Sequence, residues 1–164
     1  MESQATVPIT LLRHAQTEFN RSGVDERDCG ITDEGVSQAQ KLEGHYDLVL
    51  LSPMRRCRET LRHSRITYDD IRILEPLREH KKDLCDFLEG EEVVMETEDD
   101  VRERVKEVNK ILATLPGIRI LVVSHGDLLW QLTAKVGDDG EHYGEWLHNA
   151  EPYEWRNEKV EGVN

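Results

Sequence analysis

Three short, unbroken apolar runs punctuate the chain: VPITLLR (7–13), YDLVLLS (46–52) and RILVVSH (119–125). Each is rich in Val, Ile and Leu, and each ends in polar residues. A strand with one face in water alternates apolar and polar side chains. Runs that stay apolar at successive positions predict strands covered on both faces of a sheet. IRIL (71–74) is a weaker fourth run.

The segments between the runs read as helices. TDEGVSQAQKLEG offers Thr32 as N-cap, acids in the first turn and Gly44 as a stop. PMRRCRETLRHSRI puts Pro53 at a first helical position, where its missing N–H costs little. EDDVRERVKEVNKILATLPG repeats Val101, Val105, Val108, Ile111, Leu112 and Leu115 on one stripe and stops at Pro116-Gly117. DLLWQLTAKVG is the fourth pattern. Strands alternating with helices predict an α/β fold, a three-layer αβα sandwich around a mostly parallel sheet. The acidic stretch 88–100 reads as a solvated loop leading into the long helix, and the segment from Pro152 onward as a short closing strand. Trp146 and Trp155 read as core or edge packing rather than ligand stacking.

At 164 residues the expectation is one domain spanning 1–164, long enough to bury a core without staples. Hydrophobic residues make up 37% and charged residues 34%, a polar balance that still leaves clear apolar blocks. The formal charge of −13 argues against nucleic-acid and anionic-membrane partners, which need basic patches. MESQATVPIT has neither a basic nor an apolar leader-like region, and Cys29, Cys57 and Cys85 show no C-x-x-C spacing. A reduced, cytoplasmic protein is therefore expected. The sequence sets no oligomeric state.

Chemistry collects at the ends of the runs. The first ends at Arg13-His14, the second at Ser52-Pro53 just before Arg55 and Arg56, and the third at Ser124-His125-Gly126. Ligands of open α/β sheets bind outside the carboxyl ends of the strands, so these groups are expected to converge. Guanidinium groups bind phosphate oxygens bidentately and stay charged. A neutral imidazole between them can take up a phosphoryl group covalently, and a second can hold the equatorial oxygens. The leaving alkoxide needs a carboxylic acid nearby. Zinc is the competing reading of paired histidines, but Arg13 directly beside His14 opposes it. No metal and no cofactor are expected, because the arginines supply the positive charge.

These residues resemble the histidine phosphatase superfamily, the phosphoglycerate-mutase-like family. Its hallmark R-H-G/A-x-T-x-x-N is matched by RHAQTEFN (13–20). Its later blocks are matched in order by ITDEGVSQA (31–39), SPMRRCRET (52–60), ETEDDVRER (96–104, more weakly) and VSHGDLL (123–129). The resemblance implies a phosphoglycerate-mutase-like fold with His14 as the nucleophile that becomes phosphohistidine. It implies Arg13 and Arg56 as the phosphate grip, with His125 completing the pocket. Thr17, Asn20 and the Gly126 amide would line the phosphate site, while Arg55 falls on a solvated helix face. The family's general-acid block is only partly kept in LREHKKDLCDFLEG (77–90), which favours Glu79 over Glu89. His80, Lys81 and Lys82 beside it offer charge for an anionic substrate tail. Cys29 falls near the pocket mouth as an oxidation liability.

Only about 16 residues lie between Glu79 and Glu96, too few for the long closing insert that the family's mutases carry. Water should reach the phosphohistidine, which implies a phosphomonoester phosphatase acting on a small phosphorylated metabolite. A phosphohistidine-protein phosphatase with a phosphoprotein substrate is the alternative. A non-catalytic phosphate-binding module is disfavoured, because His14, Arg13, Arg56 and His125 are all present.

Overall fold

The computed structural model of the chain describes residues 8–156. Val7 and the tail beyond residue 156 lie outside the described residues. Strand β1 (Ile9–Arg13) is followed by a short helix α1 (Glu18–Ser22), helix α2 (Asp33–Gln40), strand β2 (Glu43–Leu51) and helix α3 (Arg55–His63). Strand β3 (Arg65–Ile73), helix α4 (Glu98–Ala113), strand β4 (Ile120–Ser124) and helix α5 (Gly126–Thr133) complete the main frame. A small hairpin, β5 (Lys135–Val136) and β6 (His142–Tyr143), precedes the last strand β7 (Tyr153–Trp155).

The sheet order is β3-β2-β4-β1-β7, parallel except for β7, which runs antiparallel along β1. Alternate residues of the three inner strands feed two separate cores. Leu11, Leu48, Leu50, Ile120 and Val122 face α4 and α5, where Val101, Val105, Val108, Leu112, Leu128, Leu129 and Leu132 meet them. Leu12, Val49, Leu51, Leu121 and Val123 face the other way, toward Cys57 and Leu61 of α3. The period-two pleat thus makes the middle layer of the expected αβα sandwich. Each fully buried Leu or Val contributes on the order of 2 kcal/mol, so neither face can be left uncovered.

Several boundaries differ from the sequence reading. Helix α3 begins at Arg55 with Met54 as N-cap, two residues later than Pro53, because the Ser52 hydroxyl accepts the Met54 N–H and holds the turn open. Gly44 stops nothing: α2 has ended at Gln40, and Gly44 lies inside β2 at φ +125°, a conformation suited to glycine. Strand β3 runs from Arg65 rather than from residue 71. It is an exposed edge rich in charge, so hydropathy hides most of it. The acidic stretch is a loop up to Thr97, but two of its acids are anchors. Glu91 pairs with the buried Arg78, whose guanidinium holds the carboxyl pKa down to about 2, and Glu96 pairs with Arg104.

Candidate active site

The register of β1 on β4 builds the centre of the site. Arg13 lies opposite Ser124, and the His14 N–H donates to the Ser124 carbonyl at 3.1 Å. The residues that follow both strands, His14 and His125, therefore become neighbours from chain positions far apart. Their ring centroids stand 5.3 Å apart, edge to face at 61°. Strand β2 flanks β4, which brings Ser52 to His125: the Ser52 hydroxyl lies 2.8 Å from His125 Nε2.

His14 is held in one tautomer. Its Nδ1 lies 2.7 Å from the Ala15 carbonyl, which only accepts, so Nδ1 carries the proton and Nε2 keeps its lone pair. Burial, Arg56 and Arg13 hold the ring's pKa well below the usual imidazole value, against the Ala15 hydrogen bond, which favours protonation. The flanking backbone is fixed as well: Ala15 N–H donates to Thr60 Oγ1 at 2.8 Å, and Asn149 Nδ2 donates to the His14 carbonyl at 2.9 Å. His125 is fully buried and likewise neutral, through burial first and then Arg56. Its Nδ1 has no partner among the described residues.

A cavity of about 140 Å³ opens beside His14, lined by Arg13, Thr17, Phe19, Asn20, Arg56, Glu79, Lys82, Asp83, Cys85, Asp86, Asp127 and Trp146. The structure thus brings His14, Arg13, Arg56, Glu79, Thr17 and Asn20 to one cavity. His125 packs behind His14, outside this lining. A larger open groove of about 420 Å³ beside α1 and α2 is lined by none of His14, His125, Arg13 and Arg56, so chemistry rather than size locates the site.

The two arginines are fastened but not exhausted. Arg13 Nη1 donates to the Leu147 carbonyl at 3.2 Å, and its Nε is buried without a partner among the described residues. Arg56 is 3% exposed; its Nη1 donates to the Cys85 carbonyl at 2.7 Å and its Nη2 to Asp86 at 3.0 Å. A guanidinium carries five N–H donors, so each keeps several for an anion. Arg55 sits outside the cavity and pairs with Glu59 on the exposed helix face, where the resemblance puts it.

Glu79 lines the cavity, whereas Glu89 is exposed and does not. Oε1 of Glu79 accepts the His80 and Leu128 amides, and Oε2 accepts the Asp127 amide at 3.0 Å. The carboxyl therefore caps the start of α5 and keeps one acceptor position on Oε2. Burial raises its pKa, outweighing the N–H donors and Arg56 that favour the charged form. Thr17 and Asn20 form the capping box of α1, so their side chains shape the wall. Gly126 contributes space: a Cβ there would stand 2.7 Å from Trp146 Cη2 and 3.3 Å from Arg13 Nε.

Sequence reasoning missed Asp86, the buried counter-ion of Arg56, and Asn149, which has no motif to mark it. Its reading of Trp146 is corrected. This residue is 50% exposed, lines the cavity and carries the Arg13 guanidinium 4.9 Å from its ring centroid. Trp155, by contrast, is buried in the core of the sheet edge. Lys82 is no free cation for a substrate tail, since it pairs with Asp127.

The sequence model of the histidine phosphatase superfamily (branch 1) matches residues 9–89, a span that contains Arg13, His14, Arg56 and Glu79. The chain belongs to the histidine phosphatase superfamily. His125 lies beyond the matched span and is brought beside His14 by the β1–β4 register. No curated protein sequence matches the chain. The fold of this superfamily member is shared with the alpha-ribazole phosphatase from Shigella flexneri, at 17% identity and a TM-score of 0.59, over 87% of this chain and 96% of that one. It is also shared with the phosphoglycerate mutase from Thermus thermophilus, at 22% identity and a TM-score of 0.59, over 88% and 90%. Among the described residues no helix is long and apolar enough to cross a membrane, and no group of three or more His, Cys, Asp or Glu is gathered to hold a metal ion.

Proposed function

We propose that the chain is a metal-independent phosphomonoester phosphatase that works through phosphohistidine at His14. The observation that carries this reading is the Nδ1 bond of His14 to the Ala15 carbonyl, which leaves a neutral Nε2 lone pair beside two guanidiniums. In the first step Nε2 attacks phosphorus and the bond from phosphorus to the ester oxygen breaks. Glu79 gives its proton to the departing alkoxide. Arg13 and Arg56 hold the charge on the equatorial oxygens through the loose transition state, and His125 supports His14 by packing against its ring. In the second step water attacks the phosphohistidine, Glu79 takes back a proton, and inorganic phosphate leaves. Thr17 and Asn20 keep the wall of the pocket in place.

Hydrolysis rather than phosphoryl transfer between isomers is supported by the loop that follows Glu79. It folds back on Arg78 and Lys81, and the cavity keeps an open mouth where water can enter. The small cavity also suits a substrate group presented from a protein surface, which favours phosphohistidine proteins as the second reading. The charge of −13 supports a substrate other than nucleic acid, and three free cysteines agree with a reducing, cytoplasmic setting. The test is hydrolysis of a generic aryl phosphate with EDTA present, in wild type and His14→Ala. Turnover that survives EDTA and is lost in the variant is expected.

A further inference from the structure

We propose that Trp146 and Phe19 form a subsite for the leaving group, so that preferred substrates carry a planar, uncharged ring close to the phosphate. This deepens the phosphatase reading and rests on it.

The size of the cavity sets the problem. Pockets that enclose a whole small molecule run to roughly 300–1,000 Å³, and this one holds about 140 Å³. It takes the phosphoryl end, so the remainder of the substrate lies against the mouth. What it meets there is set by Trp146, a large aromatic side chain left half in water. The ring is not loose. Arg13 covers it at 4.9 Å, and its outer edge approaches Gly126 so closely that a Cβ would collide. Phe19 of α1 adds a second aromatic group to the same lining. A fixed indole with free surface is a stacking platform, and its orientation is set before substrate arrives.

The charges at the mouth decide what kind of group stacks there. Lys82 is matched by Asp127, and Arg56 by Asp86. Asp83 faces Asp86 and Asp25, and burial followed by those two carboxylates raises its pKa. Beyond the phosphate grip, no unmatched cation among the described residues lines the cavity to receive a second anionic group. A substrate with a carboxylate or another phosphate next to the ester would meet carboxylates, whereas an uncharged ring meets indole and phenyl.

The experiment compares 2-phenylethyl phosphate with propyl phosphate, whose leaving alcohols are of similar acidity, in the presence of EDTA. Wild type is expected to favour the phenylethyl ester by roughly tenfold in kcat/KM, mainly through KM, the range typical of aromatic stacking. In Trp146→Ala that ratio is expected to collapse toward one, and Trp146→Phe should restore part of it. Equal losses for both esters, with the ratio kept, would mean that Trp146 acts only by holding Arg13 and would overturn the proposal. So would a wild-type ratio of one. If neither ester is turned over, the phosphatase reading has failed instead. Calorimetric binding of 2-phenylethylphosphonate against propylphosphonate then tests the subsite by the same ratio, without turnover.

Discussion

His14 and His125 stand edge to face 5.3 Å apart because the amide of one bonds to the carbonyl just before the other. The pair is thus a property of the β1–β4 register rather than of either loop. Both rings are buried and neutral, and this has a consequence for stability. In the unfolded chain each histidine takes up a proton near pH 6.5, whereas in the fold each resists it. The unfolded state then binds more protons below pH 6.5, so stability falls as pH drops through that window.

The expected slope is about 1.4 kcal/mol per pH unit for each histidine once the unfolded chain is protonated. Urea melts between pH 7.5 and 5 measure it, and His125→Asn should remove about half. A slope left unchanged by His125→Asn would mean that this ring is not held neutral, whatever the opposing contribution of the raised Glu79 carboxyl.

Glu79 should matter in proportion to the leaving group. General acids contribute roughly 10²- to 10⁴-fold, and a poor alkoxide needs one more than a phenoxide does. Glu79→Gln is expected to slow alkyl phosphates by about 10²-fold or more, with a much smaller effect on nitrophenyl phosphate. Equal losses on both would show Glu79 acting as a helix cap for α5 rather than as an acid.

The same two groups give the pH profile its sign. The nucleophile needs His14 neutral, so activity falls as pH drops through a value below the usual 6.5. The acid needs Glu79 protonated, so alkyl-ester activity falls as pH rises through a value above the usual carboxylate range. Steady-state kcat/KM against pH should give a bell for alkyl esters, its acid limb set by His14 and its alkaline limb by Glu79. The alkaline limb should flatten for nitrophenyl phosphate.

Arg56 and Asp86 form a buried pair, 4% and 3% exposed in their side chains. Removing one partner leaves an uncompensated charge in the interior, which costs about 3–5 kcal/mol. Asp86→Ala should shift the urea midpoint accordingly, against a total stability of about 5–15 kcal/mol for such a domain. Arg56→Met with Asp86→Leu should recover much of the loss while abolishing phosphate binding.

The Cys29 thiol pKa is held down to about 7, chiefly by a hydrogen bond from Cys85 and against its own burial. Cys85 lines the cavity and its carbonyl fastens Arg56, so a change at this thiol pair reaches the phosphate grip. Dilute peroxide is expected to lower activity, and Cys29→Ser should protect against it. An enzyme indifferent to peroxide would make both thiols packing residues.

Much of this was legible in residue order. Unbroken apolar runs mark β1, β2 and β4, because strands buried on both faces cannot hide their composition. The residues just after them are the ones the sheet must gather, so Arg13, His14 and His125 could be read from strand ends. Arg56 was legible only through the resemblance of SPMRRCRET to the superfamily's block. Strand β3 was mostly hidden, since an exposed edge strand has no apolar signature. The mouth of the cavity was hidden for a different reason. Trp146, Asn149, Asp86 and Cys85 come from turns and loops, whose positions follow from tertiary closure rather than from local periodicity. The carboxylates of the acidic loop looked solvated for the same cause: the buried Arg78 that claims Glu91 lies 13 residues away in the chain.

The most direct measurement is to trap the phosphoenzyme. Wild type mixed with a rapidly hydrolysed aryl phosphate and quenched in alkali should carry one phosphoryl group, stable to base, labile to acid and mapped to His14 by peptide mass. His14→Ala should carry none. A phosphoryl group on another residue, or turnover with no phosphoenzyme at all, would contradict the account.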